Sequence, residues 1–355
     1  MASSKEDGAV AAADQLGAMS LGEERKGEPE NTVDAEENKE APTKVCSACG
    51  EKSNTLKKCN GCKCVWYCDK ECQNKHRKEH KKECRPIKKI LDQRGGKLDL
   101  GEELDIGPLG KLPPREECPI CMRALPLHLG LQSYAFCCGK TICGACNFEN
   151  QTKRAVVPTC PFCRTSLPTS DVEGLVQAHK RVELKDPSAL HTMAMYYDSG
   201  LRGLPVDRAK CIDLLRESAG LGNPEALYQL GQTYFYGEMG LEENEEEAVK
   251  YWKKAAEGGC IRAWHQLGCA EQDGDYVASF HDWRLAASGG HRRSMEPLIA
   301  YFEDGLLRHG DLAETMQLMY RSRAEMRCEL TGEVRNRYIE HLKMSGEYDE
   351  LISYK

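Results

Sequence analysis

From Asp186 onward the apolar positions keep a helical rhythm, and the rhythm repeats. Leu190, Met193 and Tyr197 stand three and four residues apart, as do Leu227, Leu230 and Tyr234. That spacing lines one face of an α-helix. The segments holding them start at Asp186, Asn223 and Cys260, 37 residues apart, and close on related runs, ESAGLG to Gly222, KAAEGG to Gly259 and LAASGG to Gly290. The third unit spans 31 residues because it lacks the loop that carries YGEMGLEENEEE in the second. Each unit reads as two helices. Asp186-Pro187 and Asn223-Pro224 give a capping side chain and then a proline at the first helical position. Small residues at Ala194, Gly231 and Gly268 let helices approach closely. Trp252 and Trp283 take matching places in the second helices, which glycines end. A fourth, partial unit starts at His291. These are core residues of a repeat array (186–305), not a cofactor box.

A helix over Asp171–Leu184 connects the array to what precedes it (169–185). Residues 306–355 continue as helix, with Asp311 as a candidate cap and Leu312, Met316, Met319 and Tyr320 as the apolar stripe. They are expected to cover the last repeat. Upstream the rhythm stops. Residues 1–43 are rich in Glu, Ala and Gly and cannot bury enough surface to offset chain entropy, so they read as a disordered acidic tail. Residues 87–115 hold Gly-Gly, Gly-Pro and Pro-Pro breaks and read as a linker with at most a short helix at its start. The two stretches that remain, 44–86 and 116–168, are poor in apolar residues and dense in cysteine.

Cysteine decides how those stretches fold. The chain has 20, of which sixteen fall in these two clusters at metal-binding spacing. No apolar run opens the sequence, and none approaches membrane-spanning length. The expected setting is therefore a reducing intracellular compartment, cytoplasm or nucleus, with thiolates on metal rather than in disulfides and with no membrane partner. The net charge of −7 is unevenly laid out: residues 1–43 carry 4 basic and 11 acidic side chains, and residues 44–92 carry 14 and 6. The basic run from Lys75 to Lys89 reads as a solvated helix face. With no aromatics interleaved for base stacking, it argues against nucleic acid as a partner.

From Cys46 to Cys84 the spacing is C-x2-C-x9-C-x2-C-x5-C-x3-C-x7-H-x3-C, eight ligands for two tetrahedral zincs. Tyr67-Cys68 and Gln73 complete a pattern that resembles the MYND finger. By that resemblance Cys46, Cys49, Cys68 and Cys72 hold one zinc, and Cys59, Cys62, His80 and Cys84 the other. Cys64 could stand in for Cys62, although the family spacing favours Cys62. His76 reads as a surface histidine. MYND fingers bind proteins, several of them through proline-containing peptides read by the glutamine and a nearby tryptophan. Here Arg77 stands at the tryptophan position, which counts against that peptide class. MYND also accompanies SET methyltransferases, but no asparagine-histidine SET signature is present.

The second cluster holds Cys118/Cys121, Cys137/Cys138, Cys143/Cys146 and Cys160/Cys163. Eight thiols again imply two zincs, with metal supplying much of the folding energy. It resembles a RING finger of the all-cysteine variant. Cys138 takes the cysteine position of the usual Cys-x-His, Lys140 falls where the histidine would be, and Cys137 restores the count. The resemblance implies a cross-brace, with Cys118, Cys121, Cys143 and Cys146 on one zinc and Cys137, Cys138, Cys160 and Cys163 on the other. It also implies that Ile120, Pro161 and Arg164 contact a ubiquitin-conjugating enzyme, the arginine bridging to ubiquitin.

The repeats resemble Sel-1-like repeats, relatives of tetratricopeptide repeats, whose stacked hairpins form a solenoid that binds proteins on its concave face. Cys211, Cys260, Cys269 and Cys328 lack metal spacing and read as packed thiols. The expected architecture is two small zinc-stabilised fingers followed by an α/α helical repeat solenoid, with four Zn2+. The expected function is a RING-type ubiquitin ligase with proteins as partners, conjugating enzyme and ubiquitin among them. The alternative is a non-enzymatic adaptor, for instance in nuclear regulation.

Overall fold

The computed structural model describes residues 44–101, 103–127, 131–153, 159–271, 275–326, 330 and 332–344. The acidic tail and Cys328 lie outside them. The first finger is a short hairpin of β1 (Lys57–Lys58) and β2 (Trp66–Tyr67), followed by α1 (Lys70–Gln93). Asp69 caps α1 by accepting from the Cys72 N–H at 2.8 Å. The helix runs through Pro86 and buries His76, Glu79, His80, Glu83, Ile87, Ile90 and Leu91 along one face. Lys75, Arg77, Lys78, Lys81 and Lys82 are exposed on the other.

The second finger carries β3 (Gln132–Ala135), β4 (Lys140–Cys143) and α2 (Gly144–Lys153), with β3 and β4 antiparallel and Gln132 opposite Cys143. α3 (Asp171–Glu183) leads into the paired repeat helices: α4 (Pro187–Ser199) with α5 (Arg208–Gly220), α6 (Pro224–Tyr236) with α7 (Glu245–Glu257), and α8 (Ile261–Ala270) with α9 (Tyr276–Ser288). α10 (Met295–Glu303) and α11 (His309–Glu325) make a fourth pair, and α12 (Gly332–Met344) follows. Asp186 and Asn223 cap α4 and α6 through their side chains. Cys260, at the equivalent place before α8, makes no side-chain cap. Gly259 and Gly290 take φ +97° and +101° where the chain reverses between units, a conformation open to glycine. The fold is thus a small cysteine-rich, zinc-binding region followed by a helical repeat array.

Three sequence expectations change in the structure. Of the expected linker 87–115, residues 87–93 belong to α1, and 94–101 and 103–115 are not a loose linker. They form a strap packed on the array: Ile106 is buried, the Leu104 N–H donates to Leu306 O at 3.0 Å, and Arg284 and Arg115 donate to Gly107 O and Gly289 O, each at 3.2 Å. Asp311 is not the cap of α11. That helix starts at His309, whose N–H donates to Asp99 Oδ1 of the strap at 2.6 Å, while Asp311 lies 3.4 Å from the buried Arg284 guanidinium. Finally, α12 does not extend the array. Leu330, Tyr338 and Leu342 pack on Leu125, Leu131, Ile142 and Ala145 of the second finger, giving it the apolar core it lacks alone.

The first finger shares its core in the same way. Val65, Tyr67, Ile87, Ile90 and Leu91 form one buried cluster with Trp283, Met295, Leu298, Phe302, Leu312, Met316, Met319 and Tyr320. All described residues belong to one compact unit, Thr43–Lys355.

Candidate metal centres and the clefts beside them

Four sets of ligand atoms converge. Cys46, Cys49, Cys68 and Cys72 form one; Cys59, Cys62, His80 and Cys84 the second; Cys118, Cys121, Cys143 and Cys146 the third; Cys137, Cys138, Cys160 and Cys163 the fourth. Within each set the ligand atoms lie within 4.8 Å of one another. A tetrahedral zinc with bonds of about 2.3 Å to sulfur sets sulfurs about 3.8 Å apart, and a histidine nitrogen about 3.5 Å from a sulfur. The structure has Cys49–Cys68 at 3.5 Å, Cys59–Cys84 at 3.7 Å, Cys121–Cys143 at 3.9 Å, Cys138–Cys160 at 3.6 Å and Cys62 Sγ to His80 Nε2 at 3.3 Å. Ligand type, number and spacing all fit Zn2+, at up to four sites.

Backbone geometry explains the convergence. Gly50, Lys63, Met122 and Arg164 each directly follow the second cysteine of a C-x2-C pair, and each takes a φ between +55° and +81°. The turn lets each N–H reach back to the carbonyl of the first cysteine, at 2.8 to 3.1 Å. Three of the four are not glycine and carry the cost of the left-handed conformation. The fifth pair, Cys143 and Cys146, sits at the end of β4 and the start of α2 instead.

Other backbone donors of the knuckle favour thiolate. Burial raises the Cys46 thiol, but the N–H groups of Cys49, Ala48 and Cys68 outweigh it and bring the pKa to about 7. The Thr165 hydroxyl, 3.2 Å from Cys163 Sγ, lowers that exposed thiol to about 6.

Two residues set aside in the sequence are more deeply placed than expected. His76 is buried, not on the surface. Its Nδ1 lies 3.0 Å from the Tyr67 hydroxyl, and its ring stacks on His80. Cys64 stays outside the ligand sets, fully buried 3.3 Å from His309 Nε2. Arg77 is exposed and Gln73 half-buried on α1. On the second finger Ile120 is 42% exposed, Arg164 is exposed and Pro161 half-buried. Lys140 opens β4 opposite Ala135, exposed and apart from the fourth ligand set.

Residues 46–84 match the MYND finger family, and 187–223 and 224–260 match the Sel1 repeat. The chain thus carries a MYND finger and Sel1 repeats. Over 45 residues it is 42% identical to the histone-lysine N-methyltransferase ASHR1 of Arabidopsis thaliana, a stretch that is 13% of this chain and 9% of that protein. Among solved structures it is similar to a Sel1 repeat protein of Oxalobacter formigenes, with 26% identity over 35% of this chain and 96% of that one and a TM-score of 0.34. It is also similar to a protective antigen of uropathogenic Escherichia coli with an SLR fold, with 20% identity over 50% and 38% of the two chains and a TM-score of 0.37. MYND fingers and Sel1 repeats are protein-interaction modules, so this is a zinc-binding interaction protein. Among the described residues no helix is long and apolar enough to cross a membrane.

Two clefts lie where fingers meet repeats. One, of about 580 Å3, lies between Leu125, Leu127 and Tyr134 of the second finger and His191, Met195 and Tyr196 of α4. The other, of about 830 Å3, lies between Lys82 and Pro86 of α1 and Arg262, His265, His291 and Arg293 of the array. Arg262 lines both. The residues that sequence reasoning missed are on α11, where His309, Gln317 and Tyr320 reach into the MYND finger. They are some 240 positions from their partners and carry no motif, so no local signal marks them.

Proposed function

We propose that this chain is a RING-type ubiquitin ligase. The second finger recruits a charged ubiquitin-conjugating enzyme, and the repeats or the MYND finger hold the substrate. The observation that carries the reading is a finger with two complete four-thiol sets whose outward residues match the contacts of the RING family. Ile120 presents an apolar side chain to solvent, Pro161 lies inside the last knuckle, and Arg164 follows the last ligand. A guanidinium at Arg164 has enough donors to reach enzyme and ubiquitin together. Catalysis would come from holding the thioester in a reactive conformer, with no covalent intermediate on this chain. The 580 Å3 cleft between this finger and α4 offers a place for a bound segment.

The test is discharge of ubiquitin from a panel of charged conjugating enzymes to free lysine, with the zinc-loaded chain. Ile120→Ala is expected to lower the rate about tenfold or more, as for a hot-spot side chain. Arg164→Gly is the sharper variant. At φ +60° glycine is the less strained residue, so the fold is kept or stabilised while the guanidinium is lost. Unchanged rates in both variants would sink the mechanism. The second reading is a non-enzymatic adaptor, favoured by Lys140 standing where the RING family has a metal ligand. No acceleration with any conjugating enzyme, with four zincs confirmed by metal analysis, would establish it over the ligase.

A further inference from the structure

The second zinc set of the MYND finger, Cys59, Cys62, His80 and Cys84, is not closed by the finger alone. With His80 Nε2 on the metal, Nδ1 carries the ring proton, and it lies 3.3 Å from the Tyr320 hydroxyl of α11. Tyr320 in turn donates to Glu83 Oε2 at 2.7 Å, and Arg292 Nε donates to Glu83 Oε1 at 2.6 Å. Two more side chains of α11 meet the ligand loop. His309 Nε2 lies 2.9 Å from Cys62 O, and Gln317 Nε2 donates to Cys64 O at 2.8 Å. His80, Glu83, His309 and Tyr320 are all buried. The carboxylate of Glu83 is tolerated there because Arg292 pairs with it. Residues 309, 317 and 320 lie on one side of a helix with 3.6 residues per turn, so α11 offers a single face to the metal site.

We infer that α11 of the repeat array orients the ligands of this zinc site, so that metal retention and docking of the MYND finger on the array are one linked equilibrium. Tyr320 is the principal positioning residue. It fixes the tautomer and the ring plane of His80, and Gln317 and His309 hold the Cys62–Cys64 loop. Linkage is reciprocal: the factor by which docking raises zinc affinity is the factor by which zinc raises docking. The inference goes beyond the ligase reading and stands whether or not that reading holds. It also gives the metal a role at a distance. Lys82, Glu83 and Pro86 of α1 wall the 830 Å3 cleft against Arg262, His265 and His291, so loss of this zinc would open the cleft.

The test follows zinc release from the full zinc-loaded chain to a chromogenic chelator, with thiol alkylation mapped by mass spectrometry. Tyr320→Phe keeps the ring that packs edge-on against His76 at 4.3 Å and removes only the hydroxyl. It is expected to speed release of one zinc in four by about tenfold or more, as for loss of a group behind a metal ligand, with alkylation rising at Cys59, Cys62 and Cys84 alone. Gln317→Ala should act at the same site by a smaller factor. Leu215→Ala, which empties part of the core around α5 in a cluster separate from that of the MYND finger, should lower stability without changing release of this zinc. Reciprocally, stripping this zinc from the unaltered chain should raise hydrogen exchange across 309–325. Release at the unaltered rate in both α11 variants, equal acceleration of all four zincs, or unchanged exchange over α11 would each overturn the linkage.

Discussion

Gly231→Ala tests how the repeats are packed. A Cβ at Gly231 would stand 2.4 Å from Cδ1 and Nε1 of Trp252, about an ångström closer than ordinary contact. Trp252 is 1% exposed and belongs to the buried cluster of Leu227, Ala248, Ala255 and Leu267, so it has nowhere to swing. Overpacking of this kind costs about 1–3 kcal/mol. Replacing a mid-helix glycine with alanine returns about 1 kcal/mol, leaving a net loss of up to about 2 kcal/mol. The first repeat shows the remedy. Its equivalent positions hold Ala194 and Leu215, both fully buried: a larger residue on one helix and a smaller one on the other. Trp252→Leu alone should cost about 2 kcal/mol, less than truncation of a buried aromatic to alanine. In that background Gly231→Ala should become neutral or stabilising, a coupling of about 2 kcal/mol. The assay is the urea midpoint of the unaltered chain, the two single variants and the double variant, zinc-loaded and followed by far-UV circular dichroism, with an unchanged m-value required. Gly310→Ala in α11, where a Cβ meets nothing within 4 Å, is the control and should be neutral or stabilising. If Gly231→Ala costs the same with tryptophan and with leucine at 252, the size-matching argument fails.

Three further outcomes are expected. Gly61→Ala would bring a Cβ to 2.9 Å from Cys84 Sγ, so metal analysis should find three zincs instead of four, with the second finger unaffected. Full zinc removal should loosen α12, whose Tyr338 and Leu342 pack on the second finger beside Leu330; hydrogen exchange should rise over 332–344 while α6 and α7 stay protected. Stability should fall as pH drops below about 6.5. Burial first, then the charge of Arg293, lowers His265 to about 4, while burial, His265 and then Arg293 lower His291 to about 3. The unfolded chain therefore takes up protons that the folded chain does not. The loss is up to about 2 kcal/mol for each histidine at pH 5, is nil above the unfolded pKa and is complete below the folded one. His265→Gln with His291→Gln should flatten that slope in paired titrations, since metal loss is common to both proteins.

Much of this was written locally. Metal-ligand spacing is a short-range code: a C-x2-C turn places two thiols by its own backbone, so the cysteine fingers could be read from residue intervals. Helical periodicity and the Asp-Pro and Asn-Pro caps are local as well, and a recurrence of 37 residues made the array visible. The same alignment of units showed the small residues at Gly231 and Gly268 and the matching places of Trp252 and Trp283; that each glycine packs on its tryptophan came from the structure.

What only the tertiary structure decided is how these parts close on one another. Pro and Gly breaks made 94–115 look like free chain, yet the strap is held by Arg284, Arg115 and Leu104, whose partners lie far away in sequence. Asp311 had the form of a cap, but Asp99 from the strap took that place. The basic run on α1 hid Glu79 and Glu83, which turn inward to Arg323 and Arg292. His309, Gln317 and Tyr320 complete a zinc site some 240 residues away. Local spacing records what a segment can do with its own atoms. A small finger cannot bury enough surface by itself, and the face it borrows for its core is set by packing between distant segments, which leaves no period in the sequence.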